Sequence, residues 1–368
     1  MFDDIRPYHD DEVNNVLKNL CNEKDLHTSL ASLSSPLLLK IAPWLARLFV
    51  KRSLKSSIKH IHQIKDIQEE VAKYLHKLIK KSTNGFSFDG INNIDSSKPC
   101  LFISNHRDIV LDVALVNFAL HQNNMNTVEA AVGDNLLHKK WVADLMRINK
   151  SFIVKRNEKS KRAMLNASKQ LSAYIHYAIN AKKQNIWIAQ REGRAKDGLD
   201  KTNSALISML LLNKSKGLSI ADYLAELHIV PVAISYEFDP CDNDKAKELA
   251  EKQATGSYEK QEGEDLKSIT QGMLGQKGKV HLSFCKPIQG DYEDSKAIAK
   301  AIDQQIIAQY KLHPSNLCAY QQLHEKPASK ISSSLQNRMD HLSEKEQHWL
   351  LTMYANPVFA KNALRSQN

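Results

Sequence analysis

Apolar residues recur along the chain with two different periods, and the change from one to the other divides it. From the N-terminus to about residue 82, leucine, isoleucine and lysine fall at helical spacing with few glycines and no alternating β-branched run, which predicts helices throughout. Between residues 56 and 81, Ile58, Ile61, Ile64, Ile67, Val71, Leu75 and Leu78 mark one face of an amphipathic helix. After Asn84-Gly85 and Asp89-Gly90 the apolar runs shorten. Phe86 and Phe88 alternate as a strand would, and short buried strands are predicted over 100–104, 126–132, 150–156, 185–189, 228–236 and 279–285. Helical stretches at 108–121, 136–146, 160–180, 203–212 and 297–310 separate them. Strands alternating with helices of this length predict an α/β layer fold. The expected organisation is a helical region over 1–83, an α/β domain over 84–325 and a helical tail over 326–368, with Trp349, Leu350, Leu351, Met353 and Tyr354 available for docking on the body. Residues 242–265 are charged and poor in large aliphatics, and read as helical and exposed. Pro231 places its strand at a sheet edge or at a strand start.

Composition narrows the class. The 368 residues are 42% hydrophobic and 25% charged, as in an ordinary globular protein with a substantial core. Lysine and arginine outnumber the acids 51 to 41, which favours anionic partners: nucleic acid, anionic lipid or a phosphorylated substrate. Aromatics are only 7% and sit mostly in apolar runs rather than between cations, which argues against nucleic acid. Cys21, Cys100, Cys241, Cys285 and Cys318 are odd in number and lack close spacing, as expected of free thiols in a reducing cytosol. No basic-then-apolar leader opens the chain and no apolar run approaches the ~18 residues of a membrane span, so the expected location is cytoplasmic, with attachment to a membrane left open. Residues 36–52, dense in leucine, holding Trp44 and ending in Lys51-Arg52, suit either a bilayer interface or the interior of an N-terminal bundle.

Four constellations carry candidate chemistry. His106 follows a predicted strand, with Asp108 and Asp112 close behind; an imidazole whose second nitrogen is held by a carboxylate can deprotonate an alcohol near neutral pH. The competing assignment is a helix capped by Asp108 beside a surface histidine. Lys155 and Arg156 close another strand and either reach one phosphate together or form a solvated basic turn. Arg191, Glu192, Gly193, Arg194 and Lys196 form a charged loop after a buried strand and read as an anion-binding loop shaped by Glu192. Val230-Pro231-Val232 is the fourth. No nucleotide-binding glycine loop and no H-E-x-x-H motif occurs, and no metal site is expected.

The order of these pieces resembles the glycerol-phosphate and lysophospholipid acyltransferase family over about residues 85 to 310. Its members have an Asn-His followed by an Asp, a Phe-Ile-x-Arg block, a Glu-Gly-x-Arg loop and a Val-Pro-Val strand. The counterparts here are Asn105-His106 with Asp112, Phe152 to Arg156, Glu192-Gly193-Arg194, and Val230 to Glu237. Asp112 stands one residue farther from His106 than the family spacing, which leaves Asp108 as its rival. Gly193 and Arg194 are adjacent where the family has a residue between them; alternatively Gly193 to Gly198 fits the Gly-Arg-x-Arg-x-Gly of glycerol-3-phosphate acyltransferases, which leaves the role of Glu192 open. The resemblance implies a mixed sheet flanked by helices and transfer of a fatty acyl group from acyl-CoA or acyl-carrier protein to a hydroxyl of glycerol-3-phosphate or 1-acylglycerol-3-phosphate. His106 would be the general base, with Asp112 orienting it. Lys155, Arg156, Arg194 and Lys196, with Glu192 and Gly193 in the loop, would hold the acceptor phosphate. It implies no metal or redox cofactor and a peripheral position on an anionic membrane. The alternative is an inactive protein that binds anionic lipid at a membrane surface.

Overall fold

A computed structural model describes residues 2–137, 139–261, 263–324 and 331–366. Seven strands lie among them: β1 (Phe86–Asp89), β2 (Leu101–Ser104), β3 (Val128–Gly133), β4 (Ser151–Val154), β5 (Asn185–Ala189), β6 (Ile229–Tyr236) and β7 (Val280–Phe284). The chain divides into two compact units, residues 1–74 with 129–170 and residues 75–128 with 171–368. The expected break after residue 83 does not coincide with this division, and the one after 325 lies outside the described residues.

In the first unit the helices Asp10–Leu20, Lys24–Ser34, Pro36–Ile41 and Pro43–Ser57 accompany the parallel pair β3–β4, with Ala131 opposite Phe152. Its core joins Val13, Val16, Leu20, Ile61 and Ile67 to Ile148. A reciprocal cap opens the first helix, in which the His9 N–H donates to Glu12 (2.7 Å) and Arg6 grips the same carboxylate.

The second unit orders its strands β1-β7-β6-β2-β5, parallel throughout except between β6 and β7. β2 and β6 are buried at every position, as a strand covered on both faces must be. The proline is therefore not on an edge: Pro231 pairs with Ile103 inside the sheet. Its carbonyl accepts from the Cys285 N–H (2.9 Å), so its own nitrogen faces the same side, just beyond the Val232–Phe284 pair where the β6–β7 ladder stops. The ring cannot return a bond to Cys285, but the bond is forgone at the end of the ladder rather than inside it, which is why the proline is tolerated.

The helix Asp242–Thr255 also departs from expectation, because it buries Asp242, Lys245 and Glu248. Each finds an opposite charge or a hydroxyl: Asp242 takes Arg338 and Tyr354, Lys245 takes Asp239, and Glu248 takes Lys196. The helices Ile220–Leu227, Glu264–Leu274 and Pro314–His324 were not legible in the apolar pattern. The last helix, Glu344–Arg365, buries Leu350, Leu351, Met353 and Tyr354 in a cluster with Leu335 and Ala319. Pro357 lies inside it, so the carbonyl of Met353 loses its usual intrahelical donor.

Candidate active site

Where β2 ends, the Asn105 side chain takes over its pairing with β6. Its Oδ1 accepts from the Ile234 N–H (2.7 Å) and its Nδ2 donates to the Ile234 carbonyl (2.9 Å). The amide stands in for a strand residue, so the backbone is free to turn and lift His106 off the C-terminal edge of the sheet. Four contacts hold the turn. Ser104 Oγ accepts from Trp187 Nε1 (3.0 Å), whose ring lies edge-on to the imidazole at 5.9 Å. The His106 carbonyl accepts from the Ala195 N–H (2.7 Å), and the Arg107 carbonyl accepts from Lys245 Nζ (2.7 Å).

The geometry separates the two aspartates. Asp108 Oδ1 accepts from the Val110 and Leu111 N–H groups (2.9 and 2.8 Å) and caps the helix Leu111–Gln122. Asp112, in the first turn of that helix, reaches back: its Oδ2 accepts from His106 Nδ1 (2.9 Å), Arg107 N (2.7 Å) and Asp108 N (3.0 Å). Its Oδ1 accepts from the Tyr236 hydroxyl (2.9 Å). The Asp112 side chain is fully buried, and four donors take the place of water around its charge. Because Asp112 is the acceptor, the imidazole proton is assigned to Nδ1, which leaves Nε2 with its lone pair and with no partner among the described residues. The His106 side chain is 15% exposed, enough for a substrate to reach that nitrogen.

Buried charges surround the pair. Burial and the Asp112 charge push Asp108 above the usual carboxylate range. Burial and the same charge push the Tyr236 phenol well above 10. Arg107 is enclosed and bonds Asp200 (2.7 Å) and the Gly198 carbonyl (3.2 Å). Burial raises Asp239, but the neighbouring Lys245 ammonium outweighs it and holds the carboxyl below its ordinary range.

The charged loop after β5 lies against this turn through Ala195. Arg194 donates from Nη2 to Ser268 Oγ (3.3 Å), while its Nη1 is buried with no partner among the described residues. Lys196 is engaged by Glu248, which also accepts from Lys252 (2.7 Å), and Arg191 stands 3.9 Å from Asp197. Glu192 and Gly193 sit on the exposed rim of the loop. Asn356 donates to the Asp197 carbonyl (2.6 Å), and Gly198, at φ +79°, turns toward the Met353 carbonyl that Pro357 leaves unpaired. A Cβ on Gly198 would stand 2.0 Å from that oxygen.

Of the residues singled out in the sequence, the structure brings together His106, Asp112, Asp108 and the loop bearing Arg194. Lys155 and Arg156 belong to the other compact unit. There Lys155 pairs with Asp4 (2.5 Å) and Gln170 (3.3 Å), and the Arg156 N–H donates to Asp134 (3.1 Å). Sequence reasoning missed Tyr236, Asp200, Lys245 and Trp187. Only Tyr236 carried a signal, as the end of the strand that completes the fourth constellation.

Comparison with known proteins agrees with this assembly. Residues 85–235 match the family model described as Acyltransferase. No curated protein matches the chain. Among solved structures, the 1-acyl-sn-glycerophosphate (LPA) acyltransferase PlsC from Thermotoga maritima is similar at 13% identity and a TM-score of 0.40, over 77% of this chain and 95% of that one. The matched residues include the His106–Asp112 pair, the Arg194 loop and most of β6, so it is this segment of the chain that is similar to the acyltransferase family.

Proposed function

We propose that the protein moves a fatty acyl group from a thioester, acyl-CoA or acyl-carrier protein, to a hydroxyl of glycerol-3-phosphate or 1-acylglycerol-3-phosphate. The observation that carries this reading is the His106–Asp112 pair with Nε2 unengaged among the described residues, and, on the loop that bonds the His106 carbonyl, an arginine whose buried Nη1 has no partner among them. His106 Nε2 takes the acceptor hydroxyl proton as the oxygen attacks the thioester carbonyl, and Asp112 stabilises the imidazolium that forms. When the tetrahedral intermediate collapses, the C–S bond breaks and the imidazolium proton passes to the departing thiolate. Arg194 offers the acceptor phosphate a charged donor and so orients the hydroxyl. Lys196 already has a carboxylate partner that a phosphate would have to displace, so it ranks behind Arg194 as a contact.

The first helices support peripheral attachment to an anionic membrane on its cytoplasmic side. Leu37, Ile41, Trp44, Leu48 and Phe49 recur at helical spacing and are exposed, Ile41 at 82% and Trp44 at 65%, among Lys40, Arg47, Lys51, Arg52 and Lys55. No helix among the described residues is long and apolar enough to cross a membrane.

The test is an acceptor screen with labelled acyl-CoA and acyl-carrier protein on vesicles with and without anionic lipid, with products identified by mass. Thiol release is expected only when an acceptor is present, and His106→Ala should abolish it. Unchanged turnover in His106→Ala sinks the mechanism. Vesicle binding without turnover on any acceptor returns the reading to an inactive lipid-binding protein.

A further inference from the structure

We propose that Tyr236 is a positioning residue of this site, its hydroxyl setting the basicity of His106 through the far oxygen of Asp112. The inference rests on the acyl-transfer reading and extends it to a residue on another strand. Asp112 has two oxygens and two faces to satisfy. Its Oδ2 is shared among the His106 imidazole and two backbone N–H groups, and no side-chain substitution removes the backbone donors without unmaking the turn. Among the described residues its Oδ1 has one partner, the Tyr236 hydroxyl at 2.9 Å, offered from the last residue of β6. β6 lies directly beside β2 in the sheet, and Asn105 locks the two strands together at Ile234, two residues before the tyrosine. The strand register therefore fixes the phenol against the carboxylate.

The direction of its effect follows from charge. With His106 neutral, the dyad carries a full negative charge on Asp112; with His106 protonated, the imidazolium compensates it. A hydroxyl aimed at the carboxylate stabilises the first state more than the second, and so holds the imidazole in its basic, unprotonated form to lower pH. Loss of the hydroxyl should raise the pH at which His106 gives up its proton. The other ionisable groups packed around the dyad are Asp108 on its own turn, Arg107 with Asp200 and Lys245 beside the turn, Asp239 beyond β6, and Lys277 near Asp108. Tyr236→Phe leaves all of them in place.

The experiment is the pH profile of acyl transfer for wild type, Tyr236→Phe and a protein with 3,5-difluorotyrosine at 236, a stronger donor of similar shape. Tyr236→Phe is expected to lower kcat about tenfold, to leave KM for the thioester unchanged and to move the acid limb of kcat/KM up by about one unit. The fluorinated residue should move that limb down. Titration of the His106 imidazole by nuclear magnetic resonance, its signal identified by its loss in His106→Gln, should show the same two shifts without any turnover. A limb and an imidazole titration that stay put in both variants overturn the proposal, even if kcat falls, because a merely structural hydroxyl would do that. Opposite imidazole shifts in a protein that turns over no acceptor would sink the acyl-transfer reading and leave the hold of Tyr236 on the dyad standing.

Discussion

Removing the carboxylate of Asp200 should damage this protein more than any neutral substitution at an equally buried site. The Arg107 and Asp200 side chains are 7% and 6% exposed and meet at 2.7 Å. Arg107 cannot escape by losing its proton, since a guanidinium stays charged at any accessible pH. In Asp200→Ala it keeps the Gly198 carbonyl and the face of Tyr310, 5.8 Å away, but no opposite charge. Stripping one partner from a buried ion pair costs about 3–5 kcal/mol. The intact pair is less favourable than that figure implies: the contact is through one oxygen, and Asp200 Oδ1 is buried with no partner among the described residues. Replacing both residues by apolar ones of similar size should therefore cost far less than the sum of the single changes. The assay is urea unfolding of wild type, Asp200→Ala, Arg107→Met and Arg107→Met/Asp200→Leu, with stabilities from the midpoints and slopes. A loss below about 1 kcal/mol in Asp200→Ala, or a double variant as unstable as the summed singles, would refute the reasoning. Arg107 follows His106 in the chain, so acyl transfer should fall with the same substitution.

Two further outcomes are expected. Gly198→Ala meets both a backbone oxygen that cannot yield and a left-handed φ that is unfavourable for alanine by about 1–2 kcal/mol, so it should displace the Arg194 loop and cut turnover at saturating thioester at least tenfold while the melting temperature drops only slightly; retained turnover would show that the loop does not need the last helix. Lys277 is buried, with its ammonium donating to the Gly275 carbonyl (2.7 Å), and burial pushes its pKa down to about 8. Between about pH 8 and 10.5 the unfolded chain then binds the proton that the folded one has released, so stability should rise with pH over that window, by at most about 3 kcal/mol relative to Lys277→Met; a flat difference between the two across that range would contradict it.

The α/β alternation was legible because strands such as Leu101-Phe102-Ile103 and Asn185-Ile186-Trp187-Ile188-Ala189 are short apolar runs bounded by polar turns, and their boundaries hold to within a residue or two. The histidine was legible from its place after one of them. The identity of its acid was not, because spacing cannot tell a carboxylate that caps its own helix from one that folds back over the preceding turn. Both kinds occur here four residues apart. The residues that escaped notice share one property: Tyr236 meets Asp112, Asp200 meets Arg107, Lys245 meets the Arg107 carbonyl and Trp187 meets Ser104 across more than eighty positions of chain. Such pairings depend on strand order, which no local pattern encodes. The same gap explains Pro231, whose tolerance depends on where a neighbouring strand stops, and the helix Asp242–Thr255, whose charged composition conceals partners on distant segments.

Pro357 and Gly198 have a bearing on how the protein is made. The loop that carries Arg194 is held by a carbonyl and an amide from residues 353 and 356, which are made long after the loop itself. A nascent chain can complete β2, turn His106 and seat Asp112 long before that, since every strand of the second unit precedes residue 285. It would hold the dyad and lack a settled Arg194 loop until the helix Glu344–Arg365 docks. A chain cut before Met353 would thus keep the residues of the His106–Asp112 pair and lose both contacts that hold the Arg194 loop to the helix Glu344–Arg365.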